Sequence, residues 1–256
     1  MSNSKLVSYT AISPNRTSPR NHAIDTITIH CVVGQLTVEA LGNIFASSST
    51  QASSNYGIGL DGKIGMYVEE KDRSWCSSSR SNDNRAITIE VASDTSHPYA
   101  VNEKAYNALI ELLVDICKRN KIKKLLWKAD KNLIGQVDKQ NMTVHRWFAD
   151  KACPGDYLYY RHGAIANAVN AKLGVAGSNT TPVVTESSTA KKVPYQVRVK
   201  IDNLRIRASA GTDSPSKGFI KPGIYTIVAE TARQDGHWGK LKSGAGWISL
   251  DYCDKI

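Results

Sequence analysis

A histidine, a lysine and a cysteine share the stretch HRWFADKACPG, which runs from His145 to Gly155 and turns at a Pro-Gly pair. Proline disfavours helical backbone at the residue before it. Cys153 is therefore expected in extended geometry at the lip of a turn, its sulfur projecting from the chain. If the extended segment reaches back to Lys151, strand alternation sends the side chains of Lys151 and Cys153 to the same side. Side chains gathered this way can build a metal site. Catalytic zinc commonly takes three protein ligands from His, Cys and carboxylate and keeps a fourth place for water. His30 ends the run ITIH, where a strand end lets a side chain emerge at the rim of a sheet. His145 and Cys153 would be the other two donors, the turn returning the sulfur toward the imidazole. One thiolate among the ligands leaves a divalent ion near +1, enough to acidify its water and keep the hydroxide nucleophilic.

Such chemistry also needs a proton acceptor. Glu90 lies in AITIEVASD, an apolar run in which a carboxylate is costly to bury without a charge partner or a task. It is the candidate to take a proton from water and pass it to a leaving amine, the alternative being a pairing with a nearby arginine. Lys151, beside Cys153, is the candidate to stabilise an oxyanion when water attacks a carbonyl. Cys31 follows His30 on the same run, so it should face the other way and pack in the core. Cys117 belongs to an apolar helix face. His22, His97, His162 and His237 have no partner in view and read as surface or satisfied core positions.

These residues must be positioned by a sheet and helices. Strand-like runs at 24–31, 64–68, 86–92 and 125–127 alternate with helical patterns. The strongest helix covers 102–119, capped by Asn102, with Tyr106, Leu109, Ile110, Leu113, Ile116 and Cys117 at three- and four-residue steps. Shorter helices fit 38–45 and 162–173, the latter stopped by Gly174. The expected class is α/β, a central sheet covered by helices. Residues 175–194, rich in Ser, Thr and Pro, read as a linker, dividing the chain into domains at 1–174 and 195–256. Beyond it, short strands at 195–201, 224–229, 237–241 and 246–249, separated by Gly, Pro and Asp turns, predict a small all-β barrel.

The chain has 256 residues, long enough for one ordinary domain and a smaller one. Its net charge of +10 favours an anionic partner, either nucleic acid or a wall polymer. Residues 191–256 hold twelve Lys/Arg against six Asp/Glu, so the small domain is the more basic per residue. No aromatic-basic motif of a known module supports nucleic-acid binding. The polar start MSNSKLVSYT has no signal-peptide core, and no run reaches the ~18 apolar residues of a membrane span. The expectation is a product that is not exported by the usual route and does not insert into a membrane. Five cysteines with no CxxC pair argue against a disulfide framework.

Four motifs, ITIHCVVG, SSNYGIGLDGKIGMYVEEKDRSW, NRAITIEVASD and VHRWFADKACPG, occur in an order and at intervals that resemble the zinc-dependent N-acetylmuramoyl-L-alanine amidases of the type 2 family. That family includes phage endolysins and is related to the peptidoglycan recognition proteins. The resemblance spans about residues 20 to 174. It implies a mixed central sheet flanked by helices, Zn2+ on His30, His145 and Cys153, an acid/base role for Glu90, and the family's lysine at Lys151. It also implies cleavage of the amide between N-acetylmuramic acid and L-alanine in bacterial peptidoglycan. Relatives often carry His-Tyr where this chain has Asn55-Tyr56, some use a tyrosine where it has Ser54, and many read Trp-His where it has Trp75-Cys76. The base role therefore rests on Glu90, and Cys76 is expected to be an exposed thiol.

Residues 195 to 253 resemble a bacterial SH3-type (SH3b) wall-binding domain, with LRIRASAGTDS, including Arg207, as its opening motif and HWGKLKSGAGWISLDY as its closing strands. Trp238, Trp247 and Tyr252 are candidates for stacking on sugar or peptide, against a core role for at least one tryptophan. The architecture implies a phage or prophage endolysin, made in the host cytoplasm and acting on the wall after release. Oligomeric state is left open. Two other classes compete: a wall peptidase with Cys31 or Cys76 as nucleophile and His145 as base, and a non-catalytic peptidoglycan binder.

Overall fold

Asn102 caps the longest core helix as its sequence predicts, its side chain accepting from the Ala105 N–H at 2.9 Å. From there α3 (Glu103–Arg119) runs with Leu109, Leu112, Leu113, Ile116 and Cys117 buried. In the computed structural model the described residues are 2–175, 193–199, 201, 204–211, 214–233 and 236–256. The chain divides into two units, Met1–Ala176 and Gly177–Ile256. Most of the expected linker, 175–194, lies outside the described residues.

The first unit is built on a six-stranded mixed sheet. Its strands are β1 (Tyr9–Thr10), β2 (Thr26–Cys31), β3 (Tyr56–Ile58), β4 (Ile64–Met66), β5 (Ala86–Val91) and β6 (Met142–Thr143), in the order β1-β4-β3-β5-β2-β6. The central pairs β2–β5, β2–β6 and β3–β5 are parallel, and the β3–β4 pair is antiparallel. Helices α1 (Val38–Ala46), α2 (Arg80–Arg85), α3 and α4 (Gly155–Lys172) complete the unit. The mixed α/β class expected from the sequence is the one observed. Ile27, Ile29, Ile87 and Ile89 of the two central strands join the α3 face in one core. Strands buried on both faces read as near-continuous apolar runs, which is why ITI and AITI stand out in the sequence.

Two expectations need correction. Residues 125–127 form no strand: the Leu125 N–H is taken by Asn170 Oδ1 at 2.7 Å and the Leu126 N–H by Asn141 Oδ1 at 2.8 Å, so side-chain amides replace a ladder. The last helix starts seven residues earlier than 162, at Gly155. Its first turns carry Tyr157, Tyr159, Tyr160 and Arg161, which hide the apolar period.

The second unit is a seven-stranded antiparallel sheet: β7 (Tyr195–Val199), β8 (Leu204–Arg207), β9 (Ser216–Ile220), β10 (Gly223–Arg233), β11 (Gly236–Leu241), β12 (Trp247–Ser249) and β13 (Cys253–Lys255), ordered β9-β8-β12-β11-β10-β7-β13. Val197, Val199, Leu204, Ile220, Ile227, Leu241 and Ile248 form its core. Trp238 is buried and Trp247 half-buried, so the first belongs to the interior. No helix among the described residues is long and apolar enough to cross a membrane.

Candidate metal centre

Register brings the first two site residues together. β2 and β5 run parallel with His30 opposite Glu90, and directly opposed residues point to the same face of a sheet. His30 Nδ1 lies 4.0 Å from Glu90 Oε1. No arginine or lysine forms an ion pair with Glu90 among the described residues; its neighbours are His30 and the thiol of Cys76, 3.9 Å from Oε1. Burial pushes the Glu90 carboxyl up to about 7, with a small opposing effect from the Cys76 hydrogen bond.

The other two donors arrive on the loop before α4. His145 opens a single 3-10 turn, His145–Trp147. The Arg146 N–H donates to Cys153 O at 3.1 Å, and Arg146 Nη1 donates to Asp156 Oδ1 at 2.9 Å. These bonds fold the loop back and set Cys153 Sγ 3.3 Å from His30 Nδ1. The His30 and His145 rings stand 5.1 Å apart at 63°. One donor atom each from His30, His145 and Cys153 lie within 4.8 Å of one another. Ligands at zinc bond lengths in a tetrahedron stand roughly 3.3–3.8 Å apart; the Cys153–His30 spacing already lies in that range, and the 4.8 Å bound leaves His145 about an ångström or less to travel.

The protonation states suit ligation. Burial, reinforced by the neighbouring His145 and His162, lowers His30 to about 3, leaving a neutral imidazole. His145 is lowered by burial and then by Lys151. Ser78 Oγ lies 3.0 Å from His145 Nε2, which leaves Nδ1 free for an ion, and such an outer partner fixes ring orientation. The Cys153 thiol is held well above its usual range by a hydrogen bond with Cys31, by burial and by Glu90. A cation is therefore what would make it a thiolate.

Cys153 lies, as expected, at the lip of a turn, which Gly155 N–H to Ala152 O closes at 2.9 Å, and the Cys153–Pro154 peptide is cis. Lys151 and Ala152 are exposed and belong to no strand, the Lys151 N–H donating to Ala149 O at 2.9 Å. The field of Lys151 is felt at His145. Gly155 is required in this turn. It sits at φ +77°, and a Cβ there would meet Tyr99 Cβ at 2.7 Å.

With this geometry in place, sequence comparison decides the family. The profile described as N-acetylmuramoyl-L-alanine amidase matches residues 20–156, more than half of the chain. The chain belongs to the N-acetylmuramoyl-L-alanine amidase family. No curated protein sequence matches it. Three solved structures are similar in part. A mutant endolysin from Bacillus subtilis is 16% identical over 63% of this chain and 97% of its own, with TM-score 0.47. The endolysin amidase LysCS from Clostridium intestinale is 17% identical over 66% and 93%, with TM-score 0.43. The endolysin of a Thermus scotoductus bacteriophage is 16% identical over 60% and 89%, with TM-score 0.42.

Ser54, Asn55, Tyr56 and Cys76, singled out in the sequence, have clear surroundings in this member of the family. Ser54 Oγ donates to Tyr56 O, Asn55 Nδ2 to Val68 O, and Tyr56 Oη to Glu70 Oε1 at 2.7 Å, so all three support the sheet from buried positions. Cys76 is not an exposed thiol but half-buried beside Glu90. Ser78 is the site neighbour that sequence reasoning missed, as is the placement of Cys76 beside Glu90; the shared loop SWCSSS carries no periodic signal. His97 and His162 also have partners: His97 Nε2 meets Asp156 Oδ2 at 3.0 Å, and the buried His162 bonds Leu158 O at 2.7 Å and lies 4.5 Å from the Trp127 ring.

Proposed function

We propose that this protein is a peptidoglycan hydrolase that cuts the amide between N-acetylmuramic acid and L-alanine, with a zinc ion held by His30, His145 and Cys153. The observation that carries this reading is the convergence of those donors within 4.8 Å, with Glu90 in register beside His30. Membership of the amidase family supports the substrate class. A zinc ion in such a site supplies Lewis acidity that activates water and polarises a carbonyl.

The chain's own groups do the rest. Glu90, raised to about 7 by burial, sits where it can take a proton from the attacking water and return it to the amine of L-alanine as the C–N bond breaks. Its side chain is 16% exposed, enough to meet substrate at the rim while shielded from bulk water. Lys151, solvent-facing near His145, would balance charge on the carbonyl oxygen in the tetrahedral stage. Ser78 holds the His145 ring in the orientation that presents Nδ1. The SH3b-like unit at 195–256 would keep the enzyme near its insoluble substrate by raising effective concentration. On this reading the protein is a phage or prophage endolysin acting on the wall after release.

A cysteine-nucleophile mechanism is disfavoured because burial, Glu90 and Asp83 push the Cys76 thiol well above its usual range, the reverse of an activated thiolate. The test is hydrolysis of purified peptidoglycan after chelation. Loss of activity restored by added zinc agrees with the proposal. Activity that survives chelation but is lost to a thiol-alkylating reagent would replace it.

A further inference from the structure

Cys76 is the one group in this centre to which the proposed reaction gives no task. Its thiol stands 3.9 Å from Glu90 Oε1, which stands 4.0 Å from His30 Nδ1. One donor atom each from His30, Cys76 and Glu90 lie within 4.8 Å of one another, the bound that His30, His145 and Cys153 also meet. An imidazole nitrogen, a thiol sulfur and a carboxylate oxygen satisfy the same ligand rule for a divalent ion. The two spacings to Glu90 are a few tenths of an ångström wider than a tetrahedral set, and rotation of the Glu90 side chain adjusts both.

The position is held from outside. Asp83 Oδ2 accepts the Cys76 N–H at 3.0 Å, and Asp83 also accepts from the Ser77 N–H and hydroxyl, fixing the loop that carries the sulfur. Strand register fixes His30 and Glu90. Glu90 Oε2 is buried without a hydrogen-bond partner among the described residues, so the carboxylate has unused acceptor capacity. His30 Nδ1 is the nitrogen that approaches both Cys153 and Glu90. A ring nitrogen has one lone pair to give, so the two groupings are alternative seats for an ion and are not filled together. They differ in charge. The seat with His145 and Cys153 offers one anionic ligand, whereas the seat with Cys76 and Glu90 offers two and neutralises a divalent cation in a buried place.

We propose that His30, Cys76 and Glu90 form a second seat for a divalent cation, alternative to that of His30, His145 and Cys153, and that an ion there stops hydrolysis by engaging Glu90. Binding replaces the S–H bond of Cys76 with a metal–sulfur bond and releases that proton, together with any proton held by Glu90, to solvent. The binding half stands on the geometry alone; the inhibitory half rests on the role given to Glu90 under the proposed function.

The test uses the full chain with Co2+ as the probe and reads the thiolate-to-cobalt charge-transfer absorption. Cys153→Ser should keep that absorption with one ion per chain, and the double variant Cys153→Ser/Cys76→Ser should lose it. No absorption in Cys153→Ser overturns the seat. Absorption that persists in the double variant also overturns it, because another thiol such as Cys31 is then the donor. Cys153→Ala gives the same comparison if the serine variant fails to fold. In zinc-restored enzyme, Cd2+ should inhibit the wild type at least tenfold more strongly than Cys76→Ser, and equal inhibition overturns the inhibitory half. A wild type whose hydrolysis survives chelation would instead overturn the zinc mechanism, leaving the cobalt result as it stands.

Discussion

Two glutamates in the first unit, the buried Glu70 and the half-buried Glu90, show how differently the same side chain can be used. Glu70 is fully buried and completely partnered: Tyr56 Oη donates to it at 2.7 Å, Arg119 Nη2 at 2.7 Å and Asn120 Nδ2 at 2.9 Å. Among the described residues Glu90 has no Lys or Arg bonded to it, one oxygen without a partner, and a thiol and a histidine for neighbours. The first arrangement has satisfied its chemistry and ties the N-terminal segment, the end of α3 and the inner strand β3 together. The second has capacity left over, beside three donors that converge on one point. A buried carboxylate marks a reactive centre only when its hydrogen-bond account does not close.

Substitutions at the two glutamates should therefore part company. Glu90→Gln is expected to lose hydrolysis of peptidoglycan by at least 10²–10⁴-fold, the usual worth of a positioned proton-transfer group, with the zinc content unchanged by elemental analysis. Full activity would remove Glu90 from the reaction. Arg119→Ala strands Glu70 and should cost about 3–5 kcal/mol of stability by denaturant unfolding, while the folded fraction keeps its rate. A loss of rate per folded molecule without loss of stability would make Glu70 part of the chemistry.

A smaller effect concerns His162, whose burial lowers it from 6.5 to about 4. Below pH 6.5 the unfolded chain binds a proton there that the folded chain refuses, so stability falls as pH drops from about 6.5 toward about 4, by up to roughly 3 kcal/mol. His162→Phe should flatten that slope in unfolding curves at several pH values, and an unchanged slope would refute the assignment. The smallest effect on catalysis is expected from removing the second unit. A fragment ending near residue 175 should cut soluble muropeptides at the full-length rate yet sediment poorly with cell walls. Equal sedimentation would give the second unit another task.

Much of the frame is written in short local signals. Asn102 and the apolar period of α3 mark that helix to within one residue, and the apolar runs around His30 and Glu90 are the two adjacent central strands. The positions of Cys76 and Ser78 are not legible that way. They depend on a loop pinned by Asp83 and on Ser78 at φ +60°, neither of which leaves a periodic trace. Around Lys151 the backbone is set by local bonds, Lys151 N–H to Ala149 O and Gly155 N–H to Ala152 O, which composition does not announce. Residues 125–127 look like a strand by composition, and only the distant Asn141 and Asn170 show what their backbone bonds to.

The most direct test of the whole account is mass spectrometry of purified peptidoglycan digested by the zinc-loaded protein. The account predicts a new free amine on L-alanine, paired with a free lactyl carboxyl on N-acetylmuramic acid. A new amine at a later position of the stem peptide, or a new reducing sugar end with the peptide still attached, would contradict it.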